Sequence, residues 1–363
     1  MSYHVVQDPL QVREVLRRVD DFLPTNALTS AVPLSPAALR ILSRARFALP
    51  PVLASATGDR HRLVRSVVAG FFTPATVAGI GPRVRDLTRA RAGAAAAVLA
   101  NGREGRRGGP ADGSVDLAAT VAAHIPPVIM QELTGFPLPD PAVLKRWSQD
   151  SLELFWGWPD GDRQLELAHT AAEFYTWLRA EVIASRGGDS LFGALSAAGL
   201  STAEVCSLGY FLLIAGQETT ALLINTALYR ALQDPAHWAR LAGGGSARDL
   251  VRAVLAAEPS VHTWRRACPR DTVLDGTALP AGSEILLELA GHHGPDAGPT
   301  AYSLAFGHGL HRCLGAKLAE LETVLAVEET ARALPGVRLC GPEPEWLRLL
   351  SFQAPLTVTV EAP

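Results

Sequence analysis

The sequence lacks a strong excess of charge of either sign, long hydrophobic runs and a basic-then-apolar pattern near its start, and each absence disfavours a class of protein. Its 33 Lys and Arg residues against 36 Asp and Glu residues give a net charge of −3, so no nucleic-acid surface is indicated. The longest apolar runs, at 94–100 and 210–215, are far shorter than the ~20 residues that span a bilayer. No basic segment leads into an apolar stretch at the start, which predicts no secretory signal, no membrane partner and a cytoplasmic location.

Cysteine is also scarce, and the few cysteines are widely separated. They are Cys206, Cys268, Cys313 and Cys340, with no Cys-x-x-Cys pair among them. This spacing disfavours both a zinc site and a disulfide framework. What the sequence does have is 48% hydrophobic residues in a chain of 363, ample for a large core.

One of these cysteines lies in a glycine-rich stretch. Residues 306–315 read Phe-Gly-His-Gly-Leu-His-Arg-Cys-Leu-Gly, and apolar residues recur at helical spacing after them. A helix N-terminus stabilises a thiolate, so Cys313 is expected at the start of that helix. Gly307, Gly309 and Gly315 would let the backbone pass close to a large flat group such as haem. The alternative is an inert buried thiol in a turn.

This loop resembles the cysteine-ligand signature of the cytochrome P-450 family, Phe-Gly-x-Gly-x-His-x-Cys-x-Gly, at every fixed position. The resemblance implies a mainly α fold with small β-sheets, formed by residues 1–363 as a single domain, and a haem b cofactor. Cys313 would be the axial iron ligand, whose electron donation favours O–O cleavage. His311 would contact a haem propionate, and Phe306, Gly307 and Gly315 would complete the haem-binding loop.

A second stretch, 212–221, places Glu218 and Thr219 in the middle of an apolar helical run. Polar side chains are costly there unless they meet water or a partner. The stretch resembles the distal helix of the same family, which implies that Ala215 and Gly216 make room for dioxygen, that Thr219 hydrogen-bonds it and that Glu218 relays protons. The alternative for Thr219 is a hydrogen bond back to the preceding turn.

Basic residues elsewhere complete the predicted haem site. His61 and Arg65 are four residues apart, on one face of a predicted helix, and the resemblance implies that this pair binds a propionate. An ordinary solvated basic face is the alternative. Arg266 fits the family's third propionate contact.

The sequence departs from the family at a Glu-x-x-Arg pair that braces the haem-side core with an arginine from a later segment. Counting back from Pro259, the two positions hold Ala253 and Ala256. The segment 291–298 is shortened, so the third member is missing too. Asp249 and Arg252 lie one turn earlier, in the wrong register for direct replacement, and the alternative is that this pair compensates for the loss. Loss of all three residues together leaves no buried charge without a partner. Because the brace itself is missing, we expect haem to be retained less firmly.

Aromatic residues are concentrated at 147–158, and Trp264 follows the missing brace. These side chains could line a substrate pocket or belong to the core, and the sequence does not decide between the two.

The function implied by the resemblance is a haem-thiolate monooxygenase. It would oxidise a small apolar or aromatic molecule, free or held on a carrier protein, with electrons from a ferredoxin-type donor, in the tailoring of a bacterial natural product. Two alternatives stay open. One is a degenerate, non-catalytic partner of another biosynthetic enzyme, and the other is a haem enzyme of different chemistry, such as coupling, ring closure or peroxide use.

Overall fold

The computed structural model describes residues 3–103, 113–291 and 300–362. Across these residues the chain is mainly α-helical with four small sheets, so the predicted fold class is confirmed. The helices are α1 (Pro9–Arg17), α2 (Pro36–Arg44), α3 (Gly58–Phe71), α4 (Pro74–Gly79), α5 (Gly81–Arg103), α6 (Leu117–Thr120), α7 (Ile125–Thr134), α8 (Pro141–Trp156), α9 (Gly161–Ala184), α10 (Leu191–Ala197), α11 (Thr202–Leu232), α12 (Pro235–Ala242), α13 (Arg248–Ala257) and α14 (Ala316–Ala333). The strands are β1 (His4–Val6), β2 (Ser114–Asp116), β3 (Thr263–Ala267), β4 (Thr272–Leu274), β5 (Thr277–Leu279), β6 (Glu284–Glu288), β7 (Arg338–Leu339), β8 (Trp346–Arg348), β9 (Gln353–Pro355) and β10 (Thr359–Glu361).

Helix α11 is the centre of the fold and packs against α7, α8, α9, α13 and α14. It begins with a capping box, in which the Ser201 hydroxyl accepts from the Glu204 amide at 3.3 Å and the Glu204 carboxylate accepts from the Ser201 amide at 2.8 Å. A helix that is apolar on all sides must be buried. By length and composition α11 could cross a membrane, but its most apolar part is 72% buried inside the fold, as expected for a core helix.

Strand β6 organises a second, smaller core. It pairs in parallel with β1 and antiparallel with β3, so that Ile285 faces His4 on one side and Arg266 on the other. Apolar side chains of these strands pack with α1 and with Leu304, which lies in a 3₁₀ helix, Ala301–Phe306. The sheet thereby positions Arg266 and the segment that leads to Cys313.

Two predicted loops fall largely outside the described residues. In the loop predicted at 101–114, α5 continues through Arg103 and β2 begins at Ser114. The shortened segment predicted at 291–298, with its two histidines, is described only at Gly291.

Candidate active site

A cavity of about 310 Å³ lies between the central helix and the cysteine loop. Its wall includes Cys313 from the loop and Ala215, Gly216 and Thr219 from α11. The two stretches that the sequence singled out therefore meet at one cavity. The remaining wall is mostly apolar, as is usual for a small-molecule site.

The cysteine loop holds Cys313 by its own backbone. The Cys313 amide donates to the Phe306 carbonyl at 2.8 Å, and the thiol is open to the cavity. Gly307 and Gly309 have φ values of +70° and +67°, which other residues rarely adopt. A Cβ at Gly309 would lie 3.0 Å from the Leu16 carbonyl oxygen. Both glycines are thus required by the turn, and Gly309 also by its close contact with α1, whereas the sequence predicted close approach to a flat ligand.

The surroundings of the Cys313 thiol shift its pKa in opposite directions. Its position deep in the fold raises the pKa of Cys313, and the Gly315 amide and the charges of Arg65 and Arg312 act in the other direction. Helix α14 begins at Ala316, three residues after the cysteine. Cys313 therefore precedes the helix N-terminus, and the nearby amide and cations offset only part of the effect of burial on the thiolate.

The four basic residues predicted to bind propionates, namely His61, Arg65, Arg266 and His311, all line the same cavity, as does Arg312. The His61 ring is fully buried, and neither of its nitrogens has a hydrogen-bond partner. It lies 4.9 Å from the His311 ring, whose Nε2 donates to the Ala56 carbonyl at 2.7 Å while Nδ1 has no partner. The structure brings these predicted residues together from α3, β3 and the cysteine loop.

The arginines of this group also lack carboxylate partners among the described residues. Arg65 donates to the Arg312 carbonyl at 2.8 Å. Arg266, 1% exposed, donates to the Arg265 carbonyl at 2.7 Å, and its Nε has no partner. Buried cations without anions are costly, so the group is complementary to a negatively charged ligand.

The pKa values follow from this crowding. Burial lowers the pKa of Arg266 to about 10. Burial and the charges of Arg266, His61 and Arg65 lower the pKa of His311 to about 4. Burial and the neighbouring Arg65 and Arg62 also lower the pKa of His61. A bound dianion would favour the charged form of each of them.

These residues fit haem. A cysteine facing the cavity offers the iron ligand, unpartnered buried donors offer contacts for the two propionates, and the apolar wall suits a porphyrin. His61, Arg65, Arg266 and His311 would hold the propionates, Cys313 the iron, and the Phe306, Gly307 and Gly315 backbone lies beside them in the cavity wall.

The distal helix differs from expectation in two details. The Thr219 hydroxyl donates to the Ala215 carbonyl at 2.6 Å, which is the back-bonded alternative, although Thr219 still lines the cavity. A Cβ on Gly216 would lie 2.6 Å from Cε and 2.8 Å from Sδ of Met130. The missing side chain of Gly216 therefore makes room for Met130 of α7, where the sequence analysis expected room for dioxygen.

Glu218 is not brought to the cavity wall. Its carboxylate accepts two hydrogen bonds from Lys145 Nζ of α8, at 2.9 and 2.7 Å, and its side chain is 4% exposed. The predicted buried acid is present, but its partner is an ammonium group on the neighbouring helix. This ion pair, like the Met130 contact, gave no local signal in the sequence.

The aromatic residues divide between core and cavity. Trp147 stacks on Phe174 in the core, with ring centroids 5.1 Å apart. Trp156 and Trp264 line the cavity and stack 6.2 Å apart. They are joined in the cavity wall by Phe211 and Phe352. Of the tryptophans left undecided by the sequence, Trp156 and Trp264 therefore form one aromatic wall, whereas Trp147 belongs to the core.

The brace positions are occupied as the sequence indicates. Ala253 is partly exposed on α13, and Ala256 is 6% exposed. Arg252, from the same helix, donates from Nε to the Glu320 carboxylate at 3.0 Å. This contact between α13 and α14 was missed by sequence reasoning, because it joins residues 68 apart.

The chain is similar in sequence and structure to several known proteins. The cytochrome P450 monooxygenase PikC of Streptomyces venezuelae is 32% identical over 319 residues, which cover 82% of this chain and 72% of that protein. The erythromycin C-12 hydroxylase of Saccharopolyspora erythraea is 30% identical, covering 74% and 69%. The structure of cytochrome P450 CREJ in complex with (4-ethylphenyl) dihydrogen phosphate superposes with a TM-score of 0.89 at 26% identity, covering 99% and 92%. No family model matches the sequence.

The fold and the cysteine-lined, cation-bearing cavity define a haem-thiolate protein. With the identity and coverage of these relatives, the chain belongs to the cytochrome P450 family. It is accordingly an oxidoreductase of the P450 monooxygenase type, with haem as its cofactor.

Proposed function

We propose that the chain is a haem b monooxygenase that transfers one oxygen atom from dioxygen to a small apolar or aromatic molecule during natural-product tailoring. The observation that carries the proposal is the shared cavity of Cys313, the four basic side chains and the distal residues Ala215 and Thr219. One relative, 30% identical, is the erythromycin C-12 hydroxylase of Saccharopolyspora erythraea, whose name describes such a tailoring reaction. When bound, haem supplies the iron that activates dioxygen.

Different residues of the chain would bind the haem and the substrate. Cys313 would hold the iron, and the four basic side chains would hold the propionates and fix the orientation of the porphyrin. The apolar wall excludes water from the reacting centre. Trp156, Trp264, Phe211 and Phe352 would bind the substrate by ring contacts, so an aromatic or alicyclic substrate of low polarity is favoured.

Proton delivery depends on the two polar residues of the distal helix. Because the Thr219 hydroxyl donates its proton to Ala215, its oxygen is left to accept a hydrogen bond in the cavity. The Glu218 carboxylate is held by Lys145 and must leave that ammonium group before it can carry a proton to the cavity. In this proposal Thr219 orients and Glu218 supplies the proton.

The electron donor is proposed to be an acidic, ferredoxin-type protein. Burial lowers the pKa of His308, and so do the charges of Arg13 and Arg17 of α1 and of Arg312 of the cysteine loop, so three cations lie near one residue of the loop that carries Cys313. A basic surface attracts an acidic partner and does so less at high salt. Electron transfer from a reduced ferredoxin should therefore slow as ionic strength rises.

The test of the function is a visible spectrum of the purified, reduced chain with carbon monoxide. The expected result is the absorption signature of a thiolate-ligated haem, and its loss in Cys313→Ser. A protein that stays colourless after supplementation with haem would overturn the proposal and favour a non-catalytic partner protein. A thiolate signature that survives in Cys313→Ser would require another ligand.

A further inference from the structure

The side chain of Arg252 joins three parts of the haem-side structure. It projects from α13, and its Nε donates to Glu320 Oε1 of α14 at 3.0 Å. Its guanidinium carbon lies 4.9 Å from the ring centroid of Tyr302, within the range of a cation–π contact. Tyr302 belongs to the 3₁₀ helix Ala301–Phe306.

The two partners of Arg252 flank the cysteine on either side in sequence. The 3₁₀ helix ends at Phe306, whose carbonyl accepts from the Cys313 amide at 2.8 Å. Helix α14 begins three residues after Cys313 and carries Glu320 in its second turn. Arg252 therefore holds both the segment that enters the cysteine loop and the helix that leaves it.

The contact is protected enough to hold these elements. The Glu320 side chain is 11% exposed, and the Arg252 side chain is 35% exposed. Lys317 Nζ lies 3.7 Å from the other Glu320 oxygen. A guanidinium can combine an ion pair with stacking on a ring, which lysine cannot do with the same geometry.

The two positions of the Glu-x-x-Arg brace, Ala253 and Ala256, provide no such contact. Ala256 is buried and Ala253 has no charge, so α13 cannot make an ion pair from those positions. Arg252 lies one residue before Ala253 and therefore points in a different direction around the helix. Its contacts reach the cysteine loop by a route that the missing Glu-x-x-Arg pair does not explain.

We propose that Arg252 is a positioning residue for Cys313, which fixes the cysteine loop by linking α13 to Glu320 and Tyr302 in place of the absent Glu-x-x-Arg brace. This inference rests on the proposed role of Cys313 as the haem ligand. The sequence predicted that loss of the brace leaves the haem-side structure without a cross-link. The contacts of Arg252 supply one. The shape of the loop itself can be measured with or without haem.

Arg230 provides a matched control. It donates to the Glu258 carboxylate at 2.8 Å and lies 5.5 Å from the Tyr229 ring, so it combines an ion pair with a ring contact at a similar exposure of 33%. These two partners lie on α11 and directly after α13, its further contacts are with Gln233 and the Trp346 ring, and none of the four belongs to the cysteine loop. Arg230→Gln removes the same kind of interaction as Arg252→Gln without touching Tyr302 or Glu320.

The experiment measures hydrogen exchange of the backbone amides at 301–316 in the full chain, with and without haem. In Arg252→Gln we expect exchange there to accelerate about tenfold or more through local opening, while Arg230→Gln leaves these amides unchanged. Arg252→Lys, which retains the charge, should give an intermediate rate. In the haem-loaded protein the thiolate fraction of the carbon monoxide spectrum should fall in Arg252→Gln and not in Arg230→Gln.

The inference is overturned if Arg252→Gln changes neither the exchange at 301–316 nor the thiolate fraction more than Arg230→Gln does. If Arg252→Gln fails to fold, Glu320→Gln and Tyr302→Leu remove the two contacts one at a time, and each must accelerate exchange in the same segment. A wild-type protein without a thiolate signature would contradict the proposed function. The exchange measurement on the haem-free chain would still decide the role of Arg252 in holding the loop.

Discussion

Lys145 Nζ on α8 donates to both carboxylate oxygens of Glu218 on α11, at 2.9 and 2.7 Å. The acid is almost fully buried, whereas the lysine side chain is 35% exposed. A buried carboxylate in an apolar helix needs such a partner. The pair therefore both stabilises the central helix and connects the predicted proton donor to solvent through Lys145.

Replacement of Lys145 by methionine should leave this carboxylate without a partner. We expect Lys145→Met to lower the free energy of unfolding by about 2 kcal/mol, because an uncompensated buried charge remains. Adding Glu218→Gln should restore part of the loss. The control is Arg146→Met on the same helix, whose exposed ion pair with Glu173 should contribute less than about 1 kcal/mol. Equal losses of unfolding free energy for Lys145→Met and Arg146→Met in urea denaturation would contradict the interpretation.

The two adjacent buried arginines of β3 should differ in their effect on haem. Arg266 lines the cavity and Arg265 does not, although Arg265 is also buried and has an unpartnered Nε. Arg266→Gln should accelerate haem dissociation by about tenfold, since about 1.4 kcal/mol of a charge-assisted contact is lost. Arg265→Gln should affect stability alone. Haem transfer to an acceptor protein measures both rates, and similar rates would remove Arg266 from the propionate site.

Thr219→Ala tests the distal helix. If the threonine oxygen orients proton delivery, the variant should bind substrate normally but divert electrons to peroxide, so that product formed per electron pair falls. Thr226→Ala is the control, because the Thr226 hydroxyl makes the same backward hydrogen bond, to Leu222 at 3.1 Å, and is not part of the cavity wall. Unchanged coupling in Thr219→Ala would leave the residue a structural role only.

Gly216 and Met130 should be energetically coupled. Gly216→Ala places a Cβ within 2.6 Å of Met130 Cε, and we expect a loss of about 1–3 kcal/mol from overpacking. Met130→Ala in the same chain should relieve the contact, giving a double variant less destabilised than the sum of the single changes. Additive losses in thermal unfolding would show that Met130 moves away without cost.

Glu322 of α14 should make stability depend on pH. Its carboxyl is fully buried, neither oxygen has a partner among the described residues, and burial raises its pKa to about 8. Below about pH 4.3 the folded and unfolded states both bind this proton, and between there and about pH 8 only the folded state keeps it. Stability should therefore fall as pH rises through this window, by at most about 1.4 kcal/mol per pH unit. Glu322→Gln should flatten the slope in urea denaturation, and an unchanged slope would show that the carboxyl has a partner.

The sequence predicted those features that depend on contiguous residues. The cysteine loop, the apolar run of α11 and the His61–Arg65 spacing are local patterns, and the structure brings all three to one cavity. It did not predict that Met130 fills the space beside Gly216, that Lys145 holds Glu218, or that Arg252 reaches Glu320. These contacts join distant parts of the chain, and their residue types have no special spacing that would indicate a partner.

The parallel pairing of β1 with β6 has a consequence for biogenesis. Gln7 and Glu288, joined by a 3.0 Å hydrogen bond across this sheet, are 281 residues apart, and Leu304 packs in the same small core. During synthesis the first strand has no sheet to join until most of the chain has left the ribosome, because closing so long a loop precedes any gain from the contacts. The wall that carries Cys313 can therefore form only late in synthesis. We expect haem to bind after that stage, so the helical body around α11 must stay soluble until then.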